Sequence, residues 1–242
     1  MTLAMVRTAL VVMPFLAGAA VVGLIVLIPL TWILRDAGPM YRAARRVLRM
    51  ALWLAGVKVE ALGPEPVSDG RACVYVANHA SNVDPLVLLV CLPRVTILAK
   101  ASVFRWPLLG RALRLAEFIP VERDRPASRR EARRAAGERL KRGLSLLVFP
   151  EGTRSLDGSL LPFRPGPFAM ALEAGAPIVP ISLAGTREIL GKGEVRIRPG
   201  TVRVTFHPPI PTAGLPPSER ERLVQKARAA IDSALSPPAR ST

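Results

Sequence analysis

Hydrophobic positions are most concentrated at the start of the chain, where no side chain between Arg7 and Arg35 carries a charge. Thr8–Leu34 is longer than the roughly 20 residues a helix needs to cross the hydrocarbon core of a bilayer. A buried helix of a soluble protein fails on that length. Ala17-Gly18-Ala19 mimics a signal-peptidase site, but the apolar run continues from Ala20 to Leu34, past the end of an ordinary signal h-region. Pro14 and Pro29 leave a single-leaflet hairpin open beside a full span. Residues 39–56 read as a second helix. Arg42, Arg45, Arg46 and Arg49 recur at helical spacing on one face, and Met40, Ala44, Val47, Leu48, Ala51 and Leu54 fill much of the rest. A basic stripe beside an apolar surface suits a helix lying among anionic headgroups.

From residue 57 the pattern changes to short apolar runs separated by helical stretches. Residues 72–77, 95–99, 118–122, 144–149 and 178–183 have the near-continuous apolar character of buried strands. Helices are predicted from Pro85 to Cys91, over Arg129–Arg142 with a Ser128/Glu131 capping box and a stop at Gly143, and over 219–235 with a Ser218/Glu221 box. Glu194–Arg198 and Val202–His207 alternate and are expected to pair across Pro199-Gly200. The expected class is α/β, with a central, mostly parallel or mixed sheet flanked by helices and an N-terminal hydrophobic helical membrane anchor. The boundaries read as 1–56 for the anchor, 57–236 for the α/β unit and 237–242 for a loose tail.

Charge sharpens this picture. The formal net charge is +16 and the pI about 11.4, for which nucleic acid and an anionic membrane surface are the two obvious partners. An arginine-rich excess also fits a GC-rich genome, so charge alone decides little. Aromatic residues make up only 5% and no nucleic-acid-binding module is recognisable, so anionic membrane lipids are the expected partner and nucleic acid is not. One arginine precedes the apolar stretch. Arg35, Arg42, Arg45, Arg46 and Arg49 follow it, which places the remainder on the cytoplasmic side of a bacterial-type inner membrane. Cys73 and Cys91 sit in apolar runs without metal-ligand spacing, and read as buried small hydrophobes.

Two phosphate-binding patterns fail on inspection. Gly185–Lys192 is one residue too long for a P-loop and is followed by Gly193 instead of a hydroxyl residue, and the Gly191/Gly193 dinucleotide fingerprint ends at Arg196. No G-x-S-x-G elbow occurs, which counts against a common serine hydrolase. The informative segment is Asn78-His79-Ala80-Ser81-Asn82-Val83-Asp84-Pro85, where a buried strand gives way to a helix. A turn through Ser81 and Asn82 would bring Asp84 to His79, letting His79 act as a base with Asp84 fixing its tautomer. The substrate's own hydroxyl then serves as nucleophile. Phe149-Pro150-Glu151-Gly152-Thr153-Arg154-Ser155 leaves a second strand end. There Gly152 permits close backbone approach, Thr153 and Ser155 offer hydroxyls, and Arg154 offers a fork suited to phosphate. His207, inside a strand and without an acidic neighbour in sequence, reads as structural.

With these blocks in hand the chain resembles the lysophosphatidic acid acyltransferase family of the glycerolipid acyltransferases. Asn78-His79 to Asp84-Pro85 is similar to its H-x4-D block, Phe118–Arg123 to its second block, Phe149–Ser155 to its third and Val179-Pro180-Ile181 to its fourth. Lys100 and Pro107-Leu108-Leu109-Gly110 fall where the family has a lysine and a P-x-x-G turn, and Arg164 stands where lysine is common. The resemblance implies transfer of a fatty acyl group from acyl-coenzyme A or acyl carrier protein to the sn-2 hydroxyl of lysophosphatidic acid, giving phosphatidic acid. It implies His79 as base and Asp84 as its orienting partner. Lys100, Arg123, Glu151, Gly152, Thr153 and Arg154 are implied around the lysophospholipid acceptor. No cofactor and no metal are implied. The basic helix over 129–142 is open to headgroups, carrier protein, coenzyme A phosphates or plain solvent. Rival readings are another lysophospholipid or an amino-acid lipid as acceptor, and a thioester hydrolase using the same pair on water.

Overall fold

The computed structural model describes residues 6–22, 38–64, 71–122, 124–194 and 196–235. The expected span over Thr8–Leu34 is therefore described only as far as Val22, and the expected tail lies outside the described residues, as does Arg123. Among the described residues no helix is long and apolar enough to cross a membrane.

Alternation along the strands builds the core. In β2 (Val74–Ala77), Val74 and Val76 face one way and Tyr75 and Ala77 the other, and all four are buried because both faces are covered. β5 (Ser145–Val148) repeats this pattern. With β1 (Val57–Leu62), β3 (Val95–Lys100), β4 (Ile119–Val121), β6 (Ile178–Ala184) and β7 (Gly200–Phe206), these strands form a seven-stranded sheet in the order β1-β7-β6-β2-β5-β3-β4. The five strands from β6 to β4 run parallel, whereas β7 is antiparallel to β6 and parallel to β1.

Helices cover both faces. On one side α2 (Gly38–Leu54) and α3 (Asp84–Cys91) contribute Met40, Leu52, Val87 and Leu88 to the cluster holding Tyr75 and Ala77. The π-helical turn Thr8–Val12, leading into α1 (Met13–Val22), adds Val12 to the same cluster while Leu10 and Met13 stay exposed. α4 (Pro107–Leu115) follows a 3-10 turn at Ala101–Arg105, so the Pro107–Gly110 turn is the first turn of a helix. The opposite face is covered by α5 (Pro126–Lys141), α6 (Gly166–Ala174) and, after the short α7 (Thr186–Ile189), by α8 (Arg220–Ser233).

Strand positions agree with the apolar runs, and three local expectations are corrected. Glu194 and Arg196–Arg198 lie outside any strand. Both hydrogen-bonding edges of β7 are taken by β6 and β1, so no edge remains for a hairpin partner, and Arg198 pairs with Glu194 instead. Neither capping box forms. α5 starts earlier, with Pro126 pre-set for a first helical turn, and Ser128 Oγ accepts the N–H of Glu122. α8 grows out of a 3-10 turn at Pro217–Glu219 without a side-chain cap. β1 was not expected, although Val57, Val59 and Ala61 alternate with Lys58 and Glu60.

Gly185, part of the failed P-loop pattern, has a structural reason to be glycine. Its φ is +90°, and a Cβ there would lie 2.3 Å from the carbonyl oxygen of Thr201. Gly185→Ala is expected to cost about 3 kcal/mol of stability, read as a lower denaturant midpoint at unchanged slope.

Candidate active site

β2 and β5 are parallel neighbours with Val76 beside Val148, so the segments that leave them emerge at the same level of the sheet. His79 and Glu151, 72 residues apart, meet there: the His79 N–H donates to Glu151 Oε1 at 2.7 Å. In return the Ser155 N–H donates to the His79 carbonyl at 2.9 Å. The imidazole stacks on Phe149, with ring centroids 4.2 Å apart.

Asp84 opens α3 and is fully buried. Its Oδ2 accepts the N–H groups of Ala80 at 2.8 Å and Ser81 at 2.7 Å, and lies 2.7 Å from His79 Nδ1. An oxygen that already accepts two N–H groups calls for a third donor, so Nδ1 carries the proton and Nε2 keeps its lone pair. The positive end of the α3 dipole favours the negative charge of Asp84. The turn that closes this five-residue step is held by Ser81, whose Oγ donates to the Leu190 carbonyl at 2.6 Å and accepts the Val83 N–H at 3.0 Å. Asn78 clamps β2 to β6 by bonding both groups of Leu183, at 2.9 and 2.7 Å.

Glu151 is only 5% exposed, and its Oε2 accepts the Leu161 N–H at 3.1 Å. Both carboxylate oxygens are thus engaged by backbone. Burial pushes this carboxyl above the ordinary glutamate range and Asp84 adds to the rise. The His79 and Leu161 N–H groups and the positive charge of Arg228 pull the other way.

Gly152 has a φ of +71°, and a Cβ there would fall 2.6 Å from Arg164 Nε, so the Arg164 guanidinium lies against this turn. Arg154 is partly buried, and its Nη1 is buried without a partner among the described residues. Thr153 is exposed, as is Lys100 at the end of β3. Neither is hydrogen-bonded to the His79–Asp84 pair. Arg123 lies outside the described residues. A cavity of about 380 Å³ shares Phe149 and Gly152 with the site. Leu98, Val121, Val148 and Met170 line its apolar part, and Arg129, Arg130, Arg133 and Arg164 its basic part. No cluster of metal-ligating side chains occurs among the described residues.

Sequence reasoning missed the supports of this loop. Lys192 Nζ donates to the Arg154 carbonyl at 3.2 Å and Arg187 Nε to the Leu156 carbonyl at 3.0 Å, so the discarded glycine-rich segment braces the third block. No local pattern announces such contacts. His207 is structural: Ser182 Oγ donates to the Ile231 carbonyl at 2.7 Å and lies 2.8 Å from His207 Nε2, whose protonation burial disfavours.

An acyltransferase family model matches residues 58–184, a span that contains His79, Asp84 and Glu151. The chain belongs to the acyltransferase family. A 1-acyl-sn-glycerol-3-phosphate acyltransferase from Limnanthes alba is 40% identical over 168 residues, covering 67% of this chain and 58% of that protein. The 1-acyl-sn-glycerol-3-phosphate acyltransferase alpha of Homo sapiens is 33% identical over 189 residues, covering 76% of this chain and 67% of that protein. The chain spans 43–58% of the length of the plant relatives it matches. The crystal structure of the 1-acyl-sn-glycerophosphate (LPA) acyltransferase PlsC from Thermotoga maritima has the same fold, with a TM-score of 0.77 and 24% identity over 93% of this chain and 95% of that one.

The raised proton affinity of Glu151 has a linked effect on folding. An acid whose folded pKa lies above its unfolded value contributes stability that is fully present below the unfolded pKa, near 4.5, and is lost as pH rises through the folded pKa. Glu151→Gln is expected to flatten that segment of the stability–pH curve, measured by chemical denaturation across the acid range. Its amide also leaves one backbone N–H unmatched, lowering stability by about 1–3 kcal/mol.

Proposed function

We propose that the protein transfers a fatty acyl group from a thioester, carried by coenzyme A or acyl carrier protein, to the sn-2 hydroxyl of lysophosphatidic acid, releasing phosphatidic acid and the free thiol. The observation that carries this reading is the His79–Asp84 pair, in which Nδ1 is held at 2.7 Å and Nε2 remains available as a base. His79 Nε2 takes the proton of the glycerol hydroxyl as that oxygen attacks the thioester carbonyl. The tetrahedral intermediate collapses, the C–S bond breaks, and the thiolate recovers the proton from the imidazolium. Asp84 stabilises the imidazolium while it exists. Neither cofactor nor metal is needed.

The acceptor's phosphate is assigned to Arg154, whose Nη1 has no protein partner among the described residues, together with Arg123 and Lys100. The 380 Å³ cavity, apolar inside and arginine-rich at its edge, has the amphipathic character of a lysophospholipid or an acyl thioester. Glu151 and Gly152 shape the loop, and Thr153 offers an exposed hydroxyl beside it.

In this reading residues 1–56 hold a catalytic unit of residues 57–236 at the cytoplasmic face of a membrane. Support comes from α2, where Arg42, Arg46 and Arg49 are exposed, and from Trp53, 71% exposed at its end.

Two experiments test these assignments. In detergent micelles with acyl-coenzyme A and lysophosphatidic acid, the protein is expected to form phosphatidic acid, and Asp84→Asn to lower kcat by about 10³–10⁴-fold. His79→Ala is expected to abolish the reaction. Product formation that survives His79→Ala sinks the mechanism, and thiol release without phosphatidic acid points to a hydrolase. For the surface, Arg42→Glu, Arg46→Glu and Arg49→Glu together are expected to weaken binding to phosphatidylglycerol vesicles by more than 1 kcal/mol for each charge reversed, as read by sedimentation. Undiminished binding places the contact elsewhere.

A further inference from the structure

α8 is the last described helix, outside the four sequence blocks, and most of its buried residues are explained by packing. Leu223, Val224, Ala227 and Ile231 lie against the sheet. Arg228, beside that apolar face, does something packing does not require. Its Nη1 donates to the carbonyl of Leu161 at 2.5 Å and its Nη2 to the carbonyl of Leu160 at 2.8 Å. The guanidinium carbon sits 5.6 Å from the ring centroid of Phe163. Three features of one segment are thus gripped by one planar side chain from the far end of the sequence.

The Leu160 carbonyl and the Leu161 N–H belong to the same rigid peptide plane. That N–H donates to Glu151 Oε2, and Glu151 Oε1 accepts the His79 N–H. With the carbonyl fixed on Arg228, the N–H on the other side of the plane is aimed at Glu151. A rotation of that plane breaks both bonds together. We propose that Arg228 is a positioning residue for acyl transfer, acting through the 160–161 peptide and Glu151 to hold the backbone of His79 in register with its substrate. The catalytic part of this proposal rests on the acyl-transfer reading above.

Arg228 also acts by charge. The groups facing Glu151 are Asp84 and His79 on the strand-exit side and Arg228 from α8. Asp84 makes the carboxylate harder to keep ionised and Arg228 makes it easier. Without Arg228 the carboxyl holds its proton to higher pH, and an O–H then faces one of the two backbone donors. Lysine would keep the charge but lacks the planar fork that takes both carbonyls.

The test compares Arg228→Met and Arg228→Lys in the full chain, with Arg222→Met as a control on the exposed side of α8, where Arg222 pairs with Glu219. Acyl-coenzyme A and lysophosphatidic acid in micelles give kcat, KM and their pH profiles. Hydrogen exchange at the His79 and Leu161 amides is read on the same samples. Arg228→Met is expected to lower kcat about 10- to 100-fold, since small displacements of a reacting group are costly, with KM for either substrate changed less than about twofold. The acid limb of its kcat profile is expected to move to higher pH. Arg228→Lys is expected to fall between, with the acid limb in place, and Arg222→Met to match the parent. Faster exchange at both amides in Arg228→Met accompanies this. The proposal is overturned if Arg228→Met keeps its kcat and acid limb, or if exchange at His79 and Leu161 stays at the parent rate in the folded variant. A parent protein that makes no phosphatidic acid sinks the reaction reading instead, and faster exchange in Arg228→Met would still establish the relay.

Discussion

The parallel pairing of β2 with β5 is the constraint on which the site depends. Parallel neighbours in register end at the same height, so whatever follows them is delivered to one edge of the sheet. His79 follows one strand and Glu151 the other, and their 2.7 Å bond ties the two exits together. Neither strand reaches this position alone. Each is buried on both faces, which requires α2 and α3 on one side and α5, α6 and α8 on the other. The site therefore inherits its rigidity from the whole three-layer packing.

Within that frame, backbone matches both oxygens of Glu151 and one oxygen of Asp84. Removing a buried carboxylate from solvent costs several kcal/mol unless hydrogen bonds replace the lost hydration. Asp84 recovers part of this at Oδ2, through the N–H groups of Ala80 and Ser81 and the helix terminus, while its Oδ1 has no partner among the described residues. Glu151 recovers it at both oxygens, through the N–H groups of His79 and Leu161. The consequence for chemistry is a division of labour between two acids of similar burial. Asp84 addresses the imidazole ring, whereas Glu151 addresses the main chain that carries it. Arg154 likewise keeps a buried donor, Nη1, beside the loop and unmatched among the described residues.

Much of the fold was legible along the chain. Apolar runs located five strands, because a strand buried on both faces has no polar positions to hide. The edge strand β1 escaped because its alternation of Val57, Val59 and Ala61 with charged residues is short. The hairpin at Glu194–Arg198 was misread because β7 satisfies its hydrogen bonds with β6 and β1, a choice made by strands distant in sequence. The capping boxes at Ser128 and Ser218 failed for a similar reason: Pro126 and the turn at Pro217 set the helix starts first.

The family and the pairing of His79 with Asp84 were already carried by the local sequence, because that step is closed by a turn whose residues bring their own hydrogen-bonding rules. Tertiary structure alone decided that Glu151 serves the backbone of His79, that Lys192 and Arg187 brace the Arg154 loop, and that Arg228 holds the peptide between Leu160 and Leu161. Those contacts join residues brought together by strand order and helix packing. A one-dimensional pattern records which groups can bond, but the partner they meet is fixed by which elements become neighbours in space.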